Sequence, residues 1–171
     1  MNEPRVAILM GSDSDLEVMS ETARVLDQMK VAFELEITSA HRTPDRTVKI
    51  VRGAPERGVR VFVVGAGAAA HLAGVVAAHS RLPVLGVPLA SSDLKGLDAL
   101  LATVQMPGGI PVGTLAIGKA GARNAGILAC QILALSDEAL AGRLDAFRLE
   151  MAESVERKSA KAKEWLSSLL D

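Results

Sequence analysis

Apolar residues follow two alternating patterns along the first 135 residues of the chain. Short runs, either uniformly apolar or alternating with polar residues, are typical of buried or half-buried strands. Longer segments repeat their apolar side chains every three or four positions and predict amphipathic helices. The predicted strands are Arg5–Met10, Phe33–Ile37, Val59–Val64, Pro83–Pro88 and Val112–Ile117. The predicted helices are Leu16–Met29, Pro44–Glu56, a helix that follows the stretch Gly65–Leu72 and ends near Ser80, Leu97–Val104 and Gly118–Leu135.

Five successive strand–helix repeats with short connections predict an α/β fold with a parallel sheet and right-handed crossovers. Strands of this number and length fit a flavodoxin-like, doubly wound five-stranded sheet in the order 2-1-3-4-5. In this order, the loops beginning at Gly11 and Gly65 flank the crevice between strands 1 and 3, and the loop at Ser39 follows the neighbouring strand. Because parallel strands end at one edge of the sheet, the three loops predict one ligand site.

The character of the chain changes after Ser136. Asp137 can cap a helix that continues nearly to the last residue. Its apolar stripe contains Leu140, Leu144, Phe147, Met151 and Val155, and then Ala162, Trp165 and Leu169. Because the sheet has no position left for this segment, we predict an α/β domain over residues 1–135 and a helical extension over residues 136–171. The extension, formed by one or two helices, is expected to pack on a neighbouring subunit. The alternative is a helix lying across its own domain.

The chain has 171 residues, of which only four are aromatic, and a formal net charge of −1. Nucleic-acid readers use aromatic stacking platforms and basic surfaces, so no nucleic-acid partner is expected. No segment reaches the roughly 20 apolar residues of a membrane span, and the N-terminal residues lack the pattern of a secretory signal. We therefore expect no membrane partner and a cytoplasmic protein. The single cysteine, Cys130, lies in an apolar run and is expected to be a small buried residue.

The stretch Gly11–Asp15 joins the first strand to a helix N-terminus, where free N–H groups and the helix dipole favour an anion such as phosphate. Ser12 and Ser14 add hydroxyl donors, whereas the two aspartates would repel a phosphate that they faced. A carboxylate here is suited to accept hydrogen bonds from vicinal ribose hydroxyls. The alternative is a plain helix cap, which accounts for one or two of these residues.

His41 and Arg42 stand side by side in the loop that follows the second strand. An imidazole can take and give a proton near neutral pH, and a guanidinium is a permanent cation that binds phosphate through paired hydrogen bonds. Thr43 and Pro44 are typical of an N-cap and a first helical residue. Helix capping does not require the histidine and arginine before them, so this loop is the first candidate for chemistry.

His71 ends the Gly-rich stretch Gly65–Ala70 and either orients a substrate or bonds a carbonyl group. This stretch resembles half of a dinucleotide fingerprint, but Ala70 replaces the third glycine and no acidic residue ends the next strand. We therefore expect no nicotinamide cofactor. No trio of His, Cys, Asp or Glu has the spacing of a metal site, and the P-loop signature is absent, so neither a metal site nor a P-loop is predicted.

Five motifs together point to a family. They are Gly11–Asp15, Ser39–Pro44, Gly65–Leu72, Leu82–Pro88 and Val104–Val112. They occur in the same order as in class I PurE, the N5-carboxyaminoimidazole ribonucleotide mutases of purine synthesis, which the chain resembles over about residues 5–150. The resemblance implies a flavodoxin-like homo-oligomer, an octamer, whose C-terminal helix packs on a neighbouring subunit. It also implies transfer of a carboxylate from an exocyclic nitrogen to the ring carbon C4, without metal, ATP or organic cofactor.

The resemblance assigns roles by matching positions. It implies that Ser12, Asp15 and Arg42 bind the ribose 5-phosphate, supported by Ser14 and Ser39. It implies that His41 is the catalytic proton carrier and His71 the second active-site histidine. The other substrate-binding positions are Gly67, Ala68 and Leu72. Where the family commonly has glycine, Ala68 is expected to add a methyl group beside the base-binding pocket.

Three other classes of protein share part of this pattern, and the class II carboxylase is the main alternative. A related class II enzyme carboxylates aminoimidazole ribonucleotide with free CO2, but Arg42-Thr43-Pro44 and Ala70-His71-Leu72 resemble class I. A phospho-receiver domain shares the fold and has a lysine after strand 5, as Lys119 is here, but its acceptor aspartate is replaced by Gly65. A flavodoxin-like module that binds a nucleotide such as FMN would need aromatic residues in its loops.

Overall fold

The computed structural model describes residues 3–170 and contains a five-stranded parallel sheet. Its strands are β1 (Val6–Met10), β2 (Phe33–Ile37), β3 (Val61–Gly67), β4 (Val84–Leu89) and β5 (Gly113–Thr114). They lie in the order β2-β1-β3-β4-β5, and every neighbouring pair is parallel. The predicted flavodoxin-like topology is confirmed.

Helices follow the strands as the periodicity predicts. They are α1 (Leu16–Gln28), α2 (Pro44–Gly53), α3 (Leu72–His79), α4 (Leu97–Val104), α5 (Lys119–Ala134) and α6 (Glu138–Leu170). The prediction for α2 extended too far, because a 3-10 turn over Pro55–Arg57 replaces its last turn. Pro55 has no N–H for a helical hydrogen bond, so the α-helix ends before it. A second 3-10 turn, Asp13–Asp15, precedes α1.

The centre of the sheet forms the core. All five residues of β1 are completely buried, and β3 is buried from Val61 to Ala66. Gly65 allows α1 to approach this strand closely, because a Cβ atom at Gly65 would lie 2.5 Å from Met19 Sδ. Cys130 is fully buried in α5, as expected.

Two strand ends differ from the prediction. β3 continues to Gly67, beyond the predicted end at Val64, because Gly65–Gly67 pairs with Val87–Leu89 of β4. β5 has only two residues instead of the predicted Val112–Ile117. The carbonyl of Pro88 lies on the side of β4 that faces β5 and accepts the N–H of Gly118, which follows β5 in the chain, at 2.9 Å. In a strand, the N–H and C=O of one residue point to the same side, and Pro88 has no N–H to donate towards β5. Regular pairing between β4 and β5 therefore ends there.

The chain divides into two compact units between Leu133 and Ala134. In the second unit, Asp137 caps α6, as predicted, by accepting the Leu140 N–H at 3.0 Å. Leu140, Leu144 and Phe147 are buried, whereas most apolar side chains in the second half of this 33-residue helix are exposed. No helix within residues 3–170 combines the length and the apolar character that crossing a membrane requires.

Candidate active site

A cavity of about 350 Å³ opens at the carboxyl edge of the sheet. The loop after β1 contributes Ser12, Ser14 and Asp15 to its lining. The loop after β2 contributes Ser39, His41 and Arg42. The segment after β3 contributes Gly67, His71 and Leu72. The fold therefore brings together nine of the residues predicted from sequence, from three loops that are distant along the chain.

The loop after β1 forms a reciprocal helix cap. The Ser14 N–H donates to Ser12 Oγ at 3.3 Å, and the Ser12 N–H donates to Asp15 Oδ2 at 3.2 Å. The capping interpretation therefore applies to Ser12 and Asp15, and the same two residues also line the cavity. Partial burial is the main cause that raises the pKa of Asp15, and hydrogen bonds from Ser12 and Ser14 oppose it. This carboxylate is held in place at a cost in solvation.

Arg42 reaches from the loop after β2 to the end of β1. Its Nη2 donates to the Gly11 carbonyl at 3.0 Å, and its backbone N–H donates to Ser39 Oγ at 3.1 Å. Its side chain forms no ion pair with any carboxylate in residues 3–170. An exposed guanidinium without a counterion thus lies beside the serine-rich start of α1, where an anionic ligand would find a cation, hydroxyls and helix N–H groups together.

Thr43 lies at the N-cap position of α2, as predicted, but its side chain does not cap the helix. Thr43 Oγ1 accepts the Ser39 N–H at 3.0 Å and donates to the Ser39 carbonyl at 3.2 Å. Below it, Thr38 Oγ1 lies 2.8 Å from Thr47 Oγ1 in a buried hydrogen bond. These threonines close the loop that carries His41 and Arg42, a role that the sequence pattern did not reveal.

His41 and His71 meet at the mouth of the cavity. His41 Nε2 lies 2.8 Å from His71 Nδ1, and the rings stand edge to face, with an interplanar angle of 85°. Both side chains are exposed, so a ligand in the cavity can reach them. The prediction left open whether His71 would bond only a carbonyl group. Its ring is instead paired with the other candidate histidine.

Ala68 lies outside the lining of the cavity. The Ala70 N–H donates to the Gly67 carbonyl at 3.0 Å, which closes a turn that leaves Ala68 exposed to solvent. The methyl group of Ala68 therefore does not line this cavity, and its place beside a base-binding pocket stays a prediction. Ala68 instead has a positive φ of 49°, a left-handed conformation that favours glycine. The alanine therefore strains the backbone of this turn and does not reduce the volume of the cavity.

Sequence reasoning missed Ser91, which lines the cavity from the loop after β4. Its only signal is its position two residues after a strand that neighbours β3. Within residues 3–170, no three side chains of His, Cys, Asp or Glu lie close enough together to hold a metal ion. The chemistry available in the cavity is therefore that of imidazoles, hydroxyls, one guanidinium and one carboxylate.

Comparison with known proteins identifies the family of this chain. Residues 5–154 match the protein family described as AIR carboxylase. The chain is 56% identical over 158 residues to the N5-carboxyaminoimidazole ribonucleotide mutase of Brucella melitensis. This match covers 92% of this chain and 98% of that protein. It is 52% identical over 161 residues to the phosphoribosylaminoimidazole carboxylase of Schizosaccharomyces pombe. This match covers 94% of this chain and 29% of that protein.

The fold is likewise similar to a solved structure. The crystal structure of Treponema denticola PurE matches with a TM-score of 0.82 and 26% identity, covering 92% of this chain and 98% of that chain. This likeness supports a common fold, and the sequence matches show common ancestry. The resemblance to PurE is confirmed, and the chain belongs to the AIR carboxylase family.

Proposed function

We propose that this protein is an N5-carboxyaminoimidazole ribonucleotide mutase, an isomerase that moves a carboxylate from the exocyclic nitrogen of an imidazole ribonucleotide to ring carbon C4. The observation that carries the proposal is that one cavity holds an unpaired arginine beside a serine-rich helix start and a pair of histidines. A phosphate and a heteroaromatic ring are the two ends of a ribonucleotide, and these groups are suited to bind one end each. The close similarity to a mutase supports this reaction over other ribonucleotide chemistry.

The phosphate end of the substrate belongs at Arg42 and Ser12. The guanidinium supplies a permanent charge, Ser12 and Ser14 supply hydroxyls, and Ser39 supports Arg42 through a hydrogen bond to its backbone. Asp15 would repel the phosphate, so we assign its carboxylate to the ribose hydroxyls, which donate hydrogen bonds to it. Gly67 and Leu72 also line the cavity, and we assign them to its ring end.

The reaction requires the transfer of one proton. The bond between the exocyclic nitrogen and the carboxylate breaks, its electron pair stays with the nucleotide, and CO2 remains in the cavity. Carbon C4 then adds to CO2, and the proton leaves C4 as the ring regains aromaticity. His41 accepts this proton and returns it to the exocyclic nitrogen, so the net change is an isomerisation that needs no cofactor. Holding CO2 beside C4 makes its recapture nearly unimolecular.

We further propose a cytoplasmic homo-oligomer, an octamer, in which α6 packs on a neighbouring subunit. The support is the exposure of apolar side chains on this helix: Val155, Trp165 and Leu169 remain 66%, 64% and 63% exposed. Exposed apolar residues spaced along one helix are typical of a surface that another chain covers. We also propose that residues 1–135 form the catalytic domain.

The alternative that remains is a carboxylase that takes free CO2, since one relative carries a carboxylase name. The structure argues against a phospho-receiver, because Gly65 lies where its acceptor aspartate would be and Met19 packs against it. Lys119, the other receiver-like residue, pairs with Glu17 at 2.6 Å. FMN binding lacks support because no aromatic residue lines the cavity within the described part of the chain, apart from the two histidines.

Isotope labelling distinguishes the mutase from the carboxylase. The substrate is N5-carboxyaminoimidazole ribonucleotide with ¹³C in the carboxylate, incubated with the protein and unlabelled bicarbonate and followed by NMR. We expect the label to move from nitrogen to C4 with little dilution. Complete exchange of the label with the bicarbonate pool, or product formed only from aminoimidazole ribonucleotide and bicarbonate, would instead support the carboxylase. His41→Asn serves as the inactive control.

A further inference from the structure

The loop after β4 contributes one side chain to the cavity, Ser91. A Cβ atom built on Gly67 would lie 1.7 Å from Ser91 Oγ and 2.8 Å from Ser91 Cβ, so the serine occupies the space that a side chain at Gly67 would fill. Ser91 Oγ makes no hydrogen bond to any other residue of the described range 3–170. The hydroxyl is exposed at the cavity and has its hydrogen-bonding capacity free.

The backbone around Ser91 is held by its neighbour. Ser92 Oγ donates to Asp98 Oδ2 at 2.7 Å and accepts the Leu94 N–H at 3.2 Å. The hydrogen bond from Ser92 also lowers the pKa of Asp98, which keeps this carboxylate ionised and the serine in the role of donor. Asp98 lies in the first turn of α4. The loop is thus tied to the helix that follows it, and Ser91 is presented from a fixed backbone.

The order of the strands places Ser91 at one end of the cavity. Along the sheet edge the strands come in the order β2, β1, β3 and β4. The segments that follow them contain, in the same order, Arg42, Ser12, His71 and Ser91. Neighbouring strands are about 4.8 Å apart, so Ser91 lies roughly two strand spacings, about 10 Å, from the phosphate end. In the orientation proposed above, with the phosphate after β1 and the ring at the histidines, β4 is the next strand beyond the ring, and Ser91 follows that strand.

We propose that Ser91 binds the migrating carboxylate, donating a hydrogen bond from Oγ to it on C4 of the product. This inference rests on the proposed function, because it takes the orientation of the nucleotide from it. A hydroxyl is suited to this position because it binds an anion without adding a charge that would trap it. The same hydroxyl can keep contact with an oxygen of CO2 between the two bonded states, which limits escape of CO2 to solvent.

The test compares two nucleotides that differ only in the carboxylate. Binding of 4-carboxy-5-aminoimidazole ribonucleotide and of 5-aminoimidazole ribonucleotide is measured by calorimetry for the wild type, Ser91→Ala and Ser12→Ala. We expect Ser91→Ala to weaken binding of the carboxylated nucleotide about tenfold or more, the range for a hydrogen bond to a charged group, and to leave the other within about twofold. Ser12→Ala, at the phosphate end, is expected to weaken both nucleotides by similar factors.

Each outcome decides between the two proposals. Equal affinities of wild type and Ser91→Ala for the carboxylated nucleotide would overturn the role of Ser91 and leave the proposed function standing. Equal losses for both nucleotides would mean that Ser91 acts through the shape of the cavity and would also overturn it. A wild-type protein that binds neither nucleotide would overturn the proposed function and this inference with it. Because Ser91 is exposed, its replacement by alanine is expected to leave the melting temperature unchanged.

Discussion

His41 Nε2 and His71 Nδ1 lie 2.8 Å apart, although 30 positions separate the two residues in the chain. A hydrogen bond between two ring nitrogens contains a single hydrogen, so one imidazole donates and the other accepts. In the proposed reaction His41 takes a proton from the substrate. The hydrogen in this bond can then move from one ring nitrogen to the other. We therefore propose that the two rings act as one unit for proton transfer, with His71 stabilising the protonation form of His41 that each step requires.

The first prediction concerns this unit. His41→Asn is expected to lower kcat by about 10²–10⁴-fold, the usual contribution of a general acid–base residue, and to leave nucleotide affinity nearly unchanged. His71→Ala is expected to lower kcat less, because His41 remains. The double variant should be no slower than His41→Asn alone, since both residues serve one step. Steady-state kinetics of the three variants measure this, and multiplying losses in the double variant would show that the histidines act independently.

The second prediction concerns the phosphate end. Arg42→Gln is expected to weaken nucleotide binding about tenfold to hundredfold, because it removes a charge-assisted hydrogen bond to an anion. Its effect should appear mainly in KM, with kcat less affected. Arg46→Gln is the matched control: it lies one helical turn away, outside the cavity, and pairs with Glu36 at 2.7 Å. Loss of affinity in Arg46→Gln equal to that in Arg42→Gln would contradict the assignment.

The third prediction concerns pH and stability at Asp15. Burial raises the pKa of Asp15 above its ordinary value of 3.8, so the folded protein holds this proton more tightly than the unfolded chain. The resulting stabilisation is complete below the unfolded pKa and is lost as the pH rises through the folded pKa. At pH 7 the ionised carboxylate therefore lowers the free energy of unfolding. Asp15→Asn is expected to raise the melting temperature at pH 7, and the difference should close below about pH 4.

Glu17, in the next turn, provides a control of opposite sign. The hydrogen bond from Lys119 lowers the pKa of Glu17, so its contribution to stability is present above the unfolded pKa and is lost as the pH falls. Glu17→Gln is expected to lower the melting temperature at pH 7 and to match the wild type in acid. Thermal unfolding of both variants across about pH 3–7 measures the two trends. If the melting temperatures of both variants differed from the wild type in the same direction across this pH range, at least one of the two pKa shifts would be contradicted.

The fourth prediction concerns the turn after β3. Ala68 has a φ of 49°, a conformation in which a Cβ atom is strained, and glycine would relieve that strain. Ala68→Gly is expected to raise stability by about 0.5–1 kcal/mol, the strain removed less the extra entropy of glycine in the unfolded chain. Ala69→Gly, at a residue without positive φ, should lower stability by a similar amount. Urea unfolding compares them, and destabilisation by both variants would contradict the strain.

The architecture could be predicted from local patterns. The apolar runs and the helical spacings placed every strand and helix of the α/β unit, because burial on both faces of a parallel sheet leaves a strong imprint on composition. The order of the strands followed from the fit of five strand–helix repeats to a flavodoxin-like doubly wound fold. The ends of the strands did not follow. Gly65–Gly67 has the composition of a loop but is carried into β3 by its pairing with β4.

The length of β5 depended on a geometric detail. Pro88 can end a ladder only if its missing N–H faces the next strand, and the side that it faces is set by the register of β4. The local sequence does not contain that register. The same limit applies to Ala68, whose neighbourhood in the sequence pointed to the pocket while the turn leaves it in solvent.

For the site, the amino-acid sequence indicated the three loops, because parallel strands bring their following loops to one edge. Together with the family resemblance, it named nine of the fourteen residues that line the cavity. Contact between His41 and His71, the reach of Arg42 to the Gly11 carbonyl and the presence of Ser91 required the tertiary structure. These relationships join residues from different loops, and the distances between loops are set by the twist and register of the sheet. Local composition determines which chemical groups are present, and the packing of the whole chain determines which of them meet.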